Sequence, residues 1–351
     1  PLSDNSVYQA NSSFGSALSR FQSGSVIASN PGVSNVPTYN IRLLYGSHRY
    51  VVSSYAEAFT SKLPNVSYSY NYTLNYANAL VDNRGRGWLG FETVSHTNSN
   101  NRTKTISVYE LLFPKTGLLK ESIAITEKTS MNRIYHSGDT LTSSTHQYSL
   151  DSANGVYLQH KIAEQKNIYN NGVYSYSLLE QYAYDIYGNI TLISELGYTK
   201  RNGQDLTTKD NLYTHKSYGK SNLSNWRFGA LRWQKKSPLS NGVDSSFSNA
   251  DLRLDKFTYD GKRNVLSHGK WDNTQNKFLT YTYTYDAYGN RLTATTPGSS
   301  VTTTHYDSTY NTYLVDSITP VNQNGTKLTT QFAYDPRFGK RVVKIDPNDN
   351  I

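Results

Sequence analysis

The chain has 351 residues, a net charge of +9, 17% charged residues and no cysteine. The missing cysteines exclude a disulfide framework and a thiolate metal site, and no run approaches the ~18 apolar residues of a membrane-spanning helix. The basic residues are scattered, with no run longer than Lys235-Lys236, which argues against nucleic acid as a partner.

The length is enough for one large or two ordinary domains with a sizeable core. Tyrosine is abundant, at 31 residues, and methionine appears once. With many Ser, Thr and Asn residues, this mix favours half-buried pleated sheet over helix. Residues 1–38 ("FQSGSVIASNPGVSNVP" within them) read as a linker or wrapping segment. The chain starts at Pro1 without a signal peptide and stops at "IDPNDNI", so both ends read as cuts in a longer protein.

From residue 39 onward the chain is a succession of short alternating runs. They include "YVVSSYAEAF", "VSYSYNYTLNY", "TKTISVYELLF", "VYSYSLLEQYAY", "FLTYTYTY" and "TQFAYD". Turn clusters such as "DNRGRG", "NNG", "RNGQD", "DGKRN" and "PGSS" separate them. Period-two alternation between Gly/Asn/Asp turns predicts antiparallel hairpins. The best helix candidate, "SSYAEAFTSKL", reads better as strand then loop. The expected fold is all-β: one large, twisted antiparallel sheet with strands of roughly five to ten residues.

A short unit recurs. Tyr184-Asp185 precedes Gly188-Asn189, and Tyr285-Asp286 precedes Gly289-Asn290. Tyr259-Asp260 precedes "GKRN", without the Gly-Asn pair. Tyr306-Asp307 follows without a glycine, and Tyr334-Asp335 leads to Gly339. The tyrosines at 259, 285, 306 and 334 are 26, 21 and 28 residues apart. Such a period holds two strands and two turns. In each unit Tyr ends a strand with its hydroxyl seeking a partner. Asp opens the turn and accepts N–H groups two residues on, and Gly supplies the left-handed conformation. A hairpin of this kind cannot bury its face alone, so units stack into a sheet.

These units resemble the YD repeats of Rhs proteins, teneurins and the B and C subunits of Tc toxin complexes. "VDNRGRGWLGFETV" carries Gly85, Arg86, Gly87, Trp88, Gly90 and Phe91; it resembles the signature block that precedes the repeats in the toxin B subunit. "YELLFPKTGLLKES", "NWRFGALRW" and "YDPRFGKRVVKIDPNDN" resemble later parts of the same array. The resemblance covers about residues 40–351. It implies a spiralling β-shell around a toxin domain, with residues 39–351 as part of the wall. It further implies a secreted or cell-surface bacterial protein whose partners are other toxin-complex subunits or flanking repeats, with a toxin cargo. The family's self-cleaving aspartyl protease core has no matching stretch here, so no catalytic residue is carried over and the expectation is a non-enzymatic protein without a cofactor.

The other candidates read as structural. The histidines at 48, 96, 136, 146, 160, 215, 268 and 305 show no metal spacing. "DPNDN" has two carboxylates for calcium but reads first as a plain turn. Arg86 is a candidate cargo contact, with packing of Trp88 and Phe91 as the simpler reading. Rows of tyrosine such as Tyr281, Tyr283 and Tyr285 leave glycans as an alternative ligand and a carbohydrate-binding or adhesive module as the alternative function. A polysaccharide-cleaving enzyme would need paired carboxylates in a groove, which no spacing marks.

Overall fold

The computed structural model describes residues 8–9, 41–43, 51–62, 65–82, 85–127, 136–153, 155–219, 229–241, 251–320 and 327–350. These residues are nearly all strand; the one helical element among them is a single turn at Thr208–Asp210. No helix among them is long and apolar enough to cross a membrane. The chain divides into two compact units, residues 1–182 with 195–210, and residues 183–194 with 211–351.

The first unit is built around a long strand. Strands β1 (Tyr8–Gln9), β2 (Ile41–Leu43) and β3 (Ser54–Lys62) all pair along one side of β4 (Asn65–Asp82). Tyr8–Gln9 runs parallel to Tyr76–Ala77, the one parallel pairing among the described strands. The rest of the expected linker at 1–38 lies outside the described residues. On the other side of β4 an antiparallel ladder follows in chain order: β5 (Gly87–Asn98), β6 (Thr103–Glu110), β7 (Leu118–Thr126), β8 (Thr140–Ala153), β9 (Val156–Asn170) and β10 (Val173–Tyr184). Strands β10 and β11 (Ile190–Thr199) contribute to both units.

The second unit repeats a simpler plan. Strands β12 (Leu212–Tyr218), β13 (Leu231–Ser237), β14 (Arg253–Tyr259), β15 (Val265–Asp272), β16 (Lys277–Tyr285) and β17 (Arg291–Thr295) pair antiparallel in sequence order. The ladder continues through β18 (Val301–Tyr306), β19 (Leu314–Pro320), β20 (Lys327–Asp335) and β21 (Lys340–Ile345).

Two expectations need correction. Strands of five to ten residues hold in the second unit, but β4 has 18 residues, β8 has 14 and β9 has 15. In β4 Asn78 takes the left-handed conformation (φ 54°) inside the strand, yet the register with β5 runs on past it to Leu80. Nor do the described residues form a sizeable core. Among the described residues the buried hydrophobic side chains are Ala79, Leu80, Leu89, Leu111, Ala163, Leu179 and Leu254. Many other apolar side chains on the strands are half-covered, because tyrosine and threonine on a pleated face shield one another across strands, while others such as Val156, Val173 and Ile186 are exposed. In β16 the tyrosines at 281, 283 and 285 are half-buried while Thr280, Thr282 and Thr284 are exposed.

Most of the core sits where the "GRGWLGF" stretch turns. Gly85, Gly87 and Gly90 all have positive φ (105°, 70° and 107°). Leu89 is skipped in the β4–β5 register and buries against Leu80 and Leu111. Trp88 meets Phe91 edge-on at 5.1 Å, and Phe91 packs on Tyr76 at 4.6 Å. Arg86 is tied inward: its guanidinium lies 4.1 Å from the centre of the Phe113 ring and 3.4 Å from the buried Asp82 carboxylate. That engagement favours packing over cargo contact for this residue.

Candidate functional site

The recurring turn is the most distinctive arrangement in the second unit. Asp286 Oδ1 accepts hydrogen bonds from the backbone N–H of Tyr288 (2.9 Å) and Asn290 (2.8 Å). Its Oδ2 accepts from Asn290 Nδ2 at 2.8 Å. The Asp286 and Asn290 backbones close the loop, and Gly289 carries φ 93°. Asp185 makes the same three bonds to Tyr187 and Asn189, around Gly188 at φ 81°.

The geometry redefines the unit. The turn at Asp260 has the same three bonds, to Lys262 and Asn264, with Arg263 in the left-handed place at φ 71°. The Gly-Asn pair missing from the sequence is therefore replaced by Arg263-Asn264. "DPNDN" is a further copy: Asp346 accepts from the Asn348 and Asn350 backbones and Asn350 Nδ2, with Asp349 at φ 60°. Its first carboxylate is thus spent on its own turn. The constant feature is Asp and Asn four positions apart with a left-handed residue before the Asn. Asp307 and Asp335 are variants. Asp307 gathers the N–H groups of Thr309, Tyr310, Thr312 and Tyr313 around Asn311. At Asp335 the left-handed Gly339 itself stands four positions on, Lys340 follows it in place of an Asn, and Arg337 binds the Asp335 carboxylate at 2.8 Å.

These bonds set the charge state. At Asp260 the Asn264 side chain holds the carboxyl below the usual range, against a smaller rise from burial. At Asp286 burial acts upward first, but the bonds from Asn290, Tyr288 and Gly289 outweigh it and the net direction is down. Asp185, Asp307, Asp335 and Asp346 are likewise depressed. A depressed folded value means stability that is present above the unfolded carboxylate value of about 4 and lost as pH falls through the lower folded values. The thermal midpoint is therefore expected to drop as pH is lowered through and below about 4. Asp260→Asn with Asp286→Asn should flatten that dependence. A midpoint curve of unchanged steepness in the double variant would refute the assignment.

Neighbouring turns touch. Asn290 Nδ2 donates to the Asn311 carbonyl at 2.7 Å. A Cβ on Gly229 would lie 2.5 Å from Asn189 Oδ1, and one on Gly289 would lie 3.5 Å from Asn264 Oδ1. Each Asn thus reaches a left-handed residue in a later turn.

The tyrosine before Asp has a specific task. The strand register shifts by one residue at Thr258/Tyr259, Thr284/Tyr285, His305/Tyr306 and Ala333/Tyr334. Each shift leaves one residue of the following strand unpaired: Leu266, Leu292, Val315 and Val342. A bulge disrupts the ladder locally and leaves backbone groups to be satisfied. Tyr285 donates its hydroxyl to the carbonyl of Val265, the residue before the bulge opposite Tyr259, at 2.9 Å. Tyr259 does the same to Leu231 at 2.8 Å, and Tyr218 to Ile190 at 2.9 Å. In the first unit Tyr148 reaches Leu119 at 2.9 Å. Burial raises the hydroxyl pKa of Tyr218, Tyr259 and Tyr285. Among the YD tyrosines, Tyr334 stacks on Tyr313 at 5.1 Å. For Tyr218, Tyr259 and Tyr285 the specific tie is the hydroxyl, which latches one repeat to the one before.

Two polar clusters of the second unit lie outside the motif. Lys235 and Asp251 form a buried ion pair at 3.7 Å, with His215 across the strand from Lys235. Burial is the main cause that lowers the His215 pKa. On the other face, Asp255 is fully buried and accepts from Arg253 Nε, from His268 Nε2 at 2.9 Å and from Gln234 Nε2 at 3.1 Å. His268 stacks on Phe257 at 4.5 Å. In both clusters the buried charges have partners within the fold. His136, His146, His160 and His305 lie against Asp139, Glu164, Asp151 and Asp316; His48 lies outside the described residues. Among the described residues no three His, Asp or Glu side chains gather as a metal site would require.

No family model matches the chain, and no curated protein matches it. Solved structures do. A TcdB2-TccC3-TEV crystal structure aligns with a TM-score of 0.52 over 80% of this chain at 13% identity, and a TcdB2-TccC3 crystal structure with 0.51 over 80% at 13%. A Photorhabdus luminescens Tc holotoxin pore structure aligns with 0.48 at 14% identity. This chain spans about a fifth of the length of those chains, 20% and 21% for the two crystal structures. At such identity the likeness is one of fold.

Proposed function

We propose that the chain is a stretch of non-enzymatic wall in a YD-repeat, Rhs-type β-shell that encloses a toxin. One observation carries the reading: Tyr218, Tyr259 and Tyr285 each fasten their repeat to an earlier one by a hydroxyl on a backbone carbonyl. A lock between successive units lets a sheet be lengthened by repetition, since each unit supplies the contact its neighbour lacks. The fold shared with the TcdB2-TccC3 structures supports this. Residues 39–351 would form the wall, residues 1–38 a linker or wrapping segment, and the Gly85–Phe91 stretch the block that opens the array. Its partners are other toxin-complex subunits or flanking repeats, with a toxin as cargo, in a secreted or surface-associated bacterial assembly.

The full reading frame tests the proposal. A domain downstream of the repeats should resist protease in the intact protein and become sensitive when separated from them. A frame with no downstream domain and no partner subunit that completes the wall would reject it. So would a downstream domain cleaved as fast within the protein as alone.

A further inference from the structure

Two buried oxygens of the first unit have no hydrogen-bond partner among the described residues: Thr199 Oγ1 and Asp210 Oδ1. Thr199 is fully buried, at 0% exposure. An unpaired hydroxyl in such a place lowers stability, and a dry carboxylate oxygen lowers it further. Both side chains lie where β11 ends and the chain loops through "KRNGQDLTTKD" to the single helical turn at Thr208–Asp210.

The loop folds back on β11 and brings three oxygen-bearing side chains to one face. Leu206 N–H donates to the Tyr198 carbonyl at 3.0 Å, and Lys200 N–H to the Gln204 carbonyl at 2.8 Å. These bonds bracket Thr199 and Asp205, which are antiparallel bridge partners. A pair of that kind has Cα atoms about 4.5 Å apart and both side chains on the same side. Asp210 joins them from the end of the loop, where its Oδ2 accepts the Tyr198 N–H at 2.8 Å. A Cβ on Gly197 would collide with the same carboxylate, so the carboxylate lies on the side to which a residue 197 side chain would point. Thr199, two places on, points the same way. The Thr199 hydroxyl and the Asp205 and Asp210 carboxylates therefore share one side of one bridge.

The cations of the loop lie elsewhere. The Arg201 guanidinium sits 5.8 Å from the centre of the Tyr174 ring and donates to the Tyr169 hydroxyl at 3.4 Å. Lys200 and Lys209 are exposed, whereas Asp205 and Asp210 are half-buried. Asp205 Oδ1 accepts the Thr207 N–H at 3.0 Å, and a carboxylate has enough lone pairs to hold that bond and a further ligand together.

We propose that Thr199, Asp205 and Asp210 hold a calcium ion. Calcium is a hard cation that takes about six to eight oxygen ligands in irregular geometry, and it completes its set from backbone carbonyls and water. Two carboxylates balance its charge, and its binding gives both dry oxygens a partner. Magnesium suits the place less, because it demands a near-octahedral set and parts with its water reluctantly. Zinc prefers His and Cys, and residues 197–211 contain neither. Only two of the ligands are acidic side chains, in keeping with the absence of a three-residue His, Asp or Glu gathering among the described residues. The ion pins the loop to the end of β11. The site is independent of the wall that encloses a toxin: calcium binding and protease protection of a cargo can each fail with the other intact.

Calorimetric titration of the EDTA-stripped protein with calcium chloride tests this, with magnesium chloride as comparator. Calcium should bind saturably, the thermal midpoint should rise with free calcium, and amide exchange should slow at Lys200–Asn211. Thr199→Val keeps the shape of the side chain and removes an unpartnered hydroxyl, so in EDTA it should be at least as stable as the native chain. It should nevertheless bind calcium about tenfold more weakly. Asp210→Asn should abolish both the binding and the calcium-dependent rise; if that variant fails to fold, Thr199→Val decides alone. Absence of saturable calcium binding overturns the proposal, since water or a proton then serves the dry oxygens. Calcium binding that survives Thr199→Val undiminished overturns it, as does tighter binding of magnesium. So does a loss of stability for Thr199→Val in EDTA, because the hydroxyl would then have a partner within the chain.

Discussion

Replacing Asp251 by Ala is expected to lower the stability of the second unit by about 3–5 kcal/mol. Asp251 and Lys235 have side chains 1% and 5% exposed, 3.7 Å apart. Removing the carboxylate leaves the Lys235 ammonium buried without that counter-charge, and Lys235 sits in register with His215 on one side and Leu254 on the other. Burial keeps His215 from gaining a proton easily, which spares the site a second positive charge near neutral pH. The second substitution Lys235→Met should recover much of the loss, because an apolar side chain of similar length suits a buried place better than a lone charge. Urea denaturation at pH 7 reads both. A loss under about 1 kcal/mol for Asp251→Ala would mean that the ammonium reaches water, and the buried-pair account would fail.

The second large effect concerns the latch. Tyr218→Phe, Tyr259→Phe and Tyr285→Phe each remove one hydroxyl from a backbone carbonyl and leave the ring in place. Each should destabilise by about 0.5–1.5 kcal/mol, more where the carbonyl is left dry. The three belong to separate repeats, so the triple variant should lose about 2–4 kcal/mol, near the sum of the singles. Tyr283→Phe is the control, a half-buried tyrosine of the same strand as Tyr285. If the control lost as much as Tyr285→Phe, the effect would belong to tyrosine in general and the latch would not exist.

Much of this architecture was legible in the residues. The alternation of "FLTYTYTY" gave β16 its half-buried and exposed faces, because successive side chains on a strand point to opposite sides. Asp286 and Gly289 announced their turn because the carboxylate bonds N–H groups within four residues and the glycine takes φ 93° at no steric loss. At Asp260 the Gly-Asn pair is absent, and the more constant signal is an Asn four positions after the Asp, which Asn264 and Asn350 also supply.

What the sequence alone determined is whatever closes within a few residues: the strand faces, the positions of the turns and the Asp–Asn clasp. These are set by local dihedral preferences and by hydrogen bonds between near neighbours. Only the tertiary structure decided which carbonyl each tyrosine serves, where the ladder bulges, and that Lys235 meets Asp251. The partners of Tyr218, Tyr259 and Tyr285 lie 20 to 28 residues away in sequence. Their choice depends on the register of adjacent strands, and a slip of one residue would send each hydroxyl to the opposite face of the sheet.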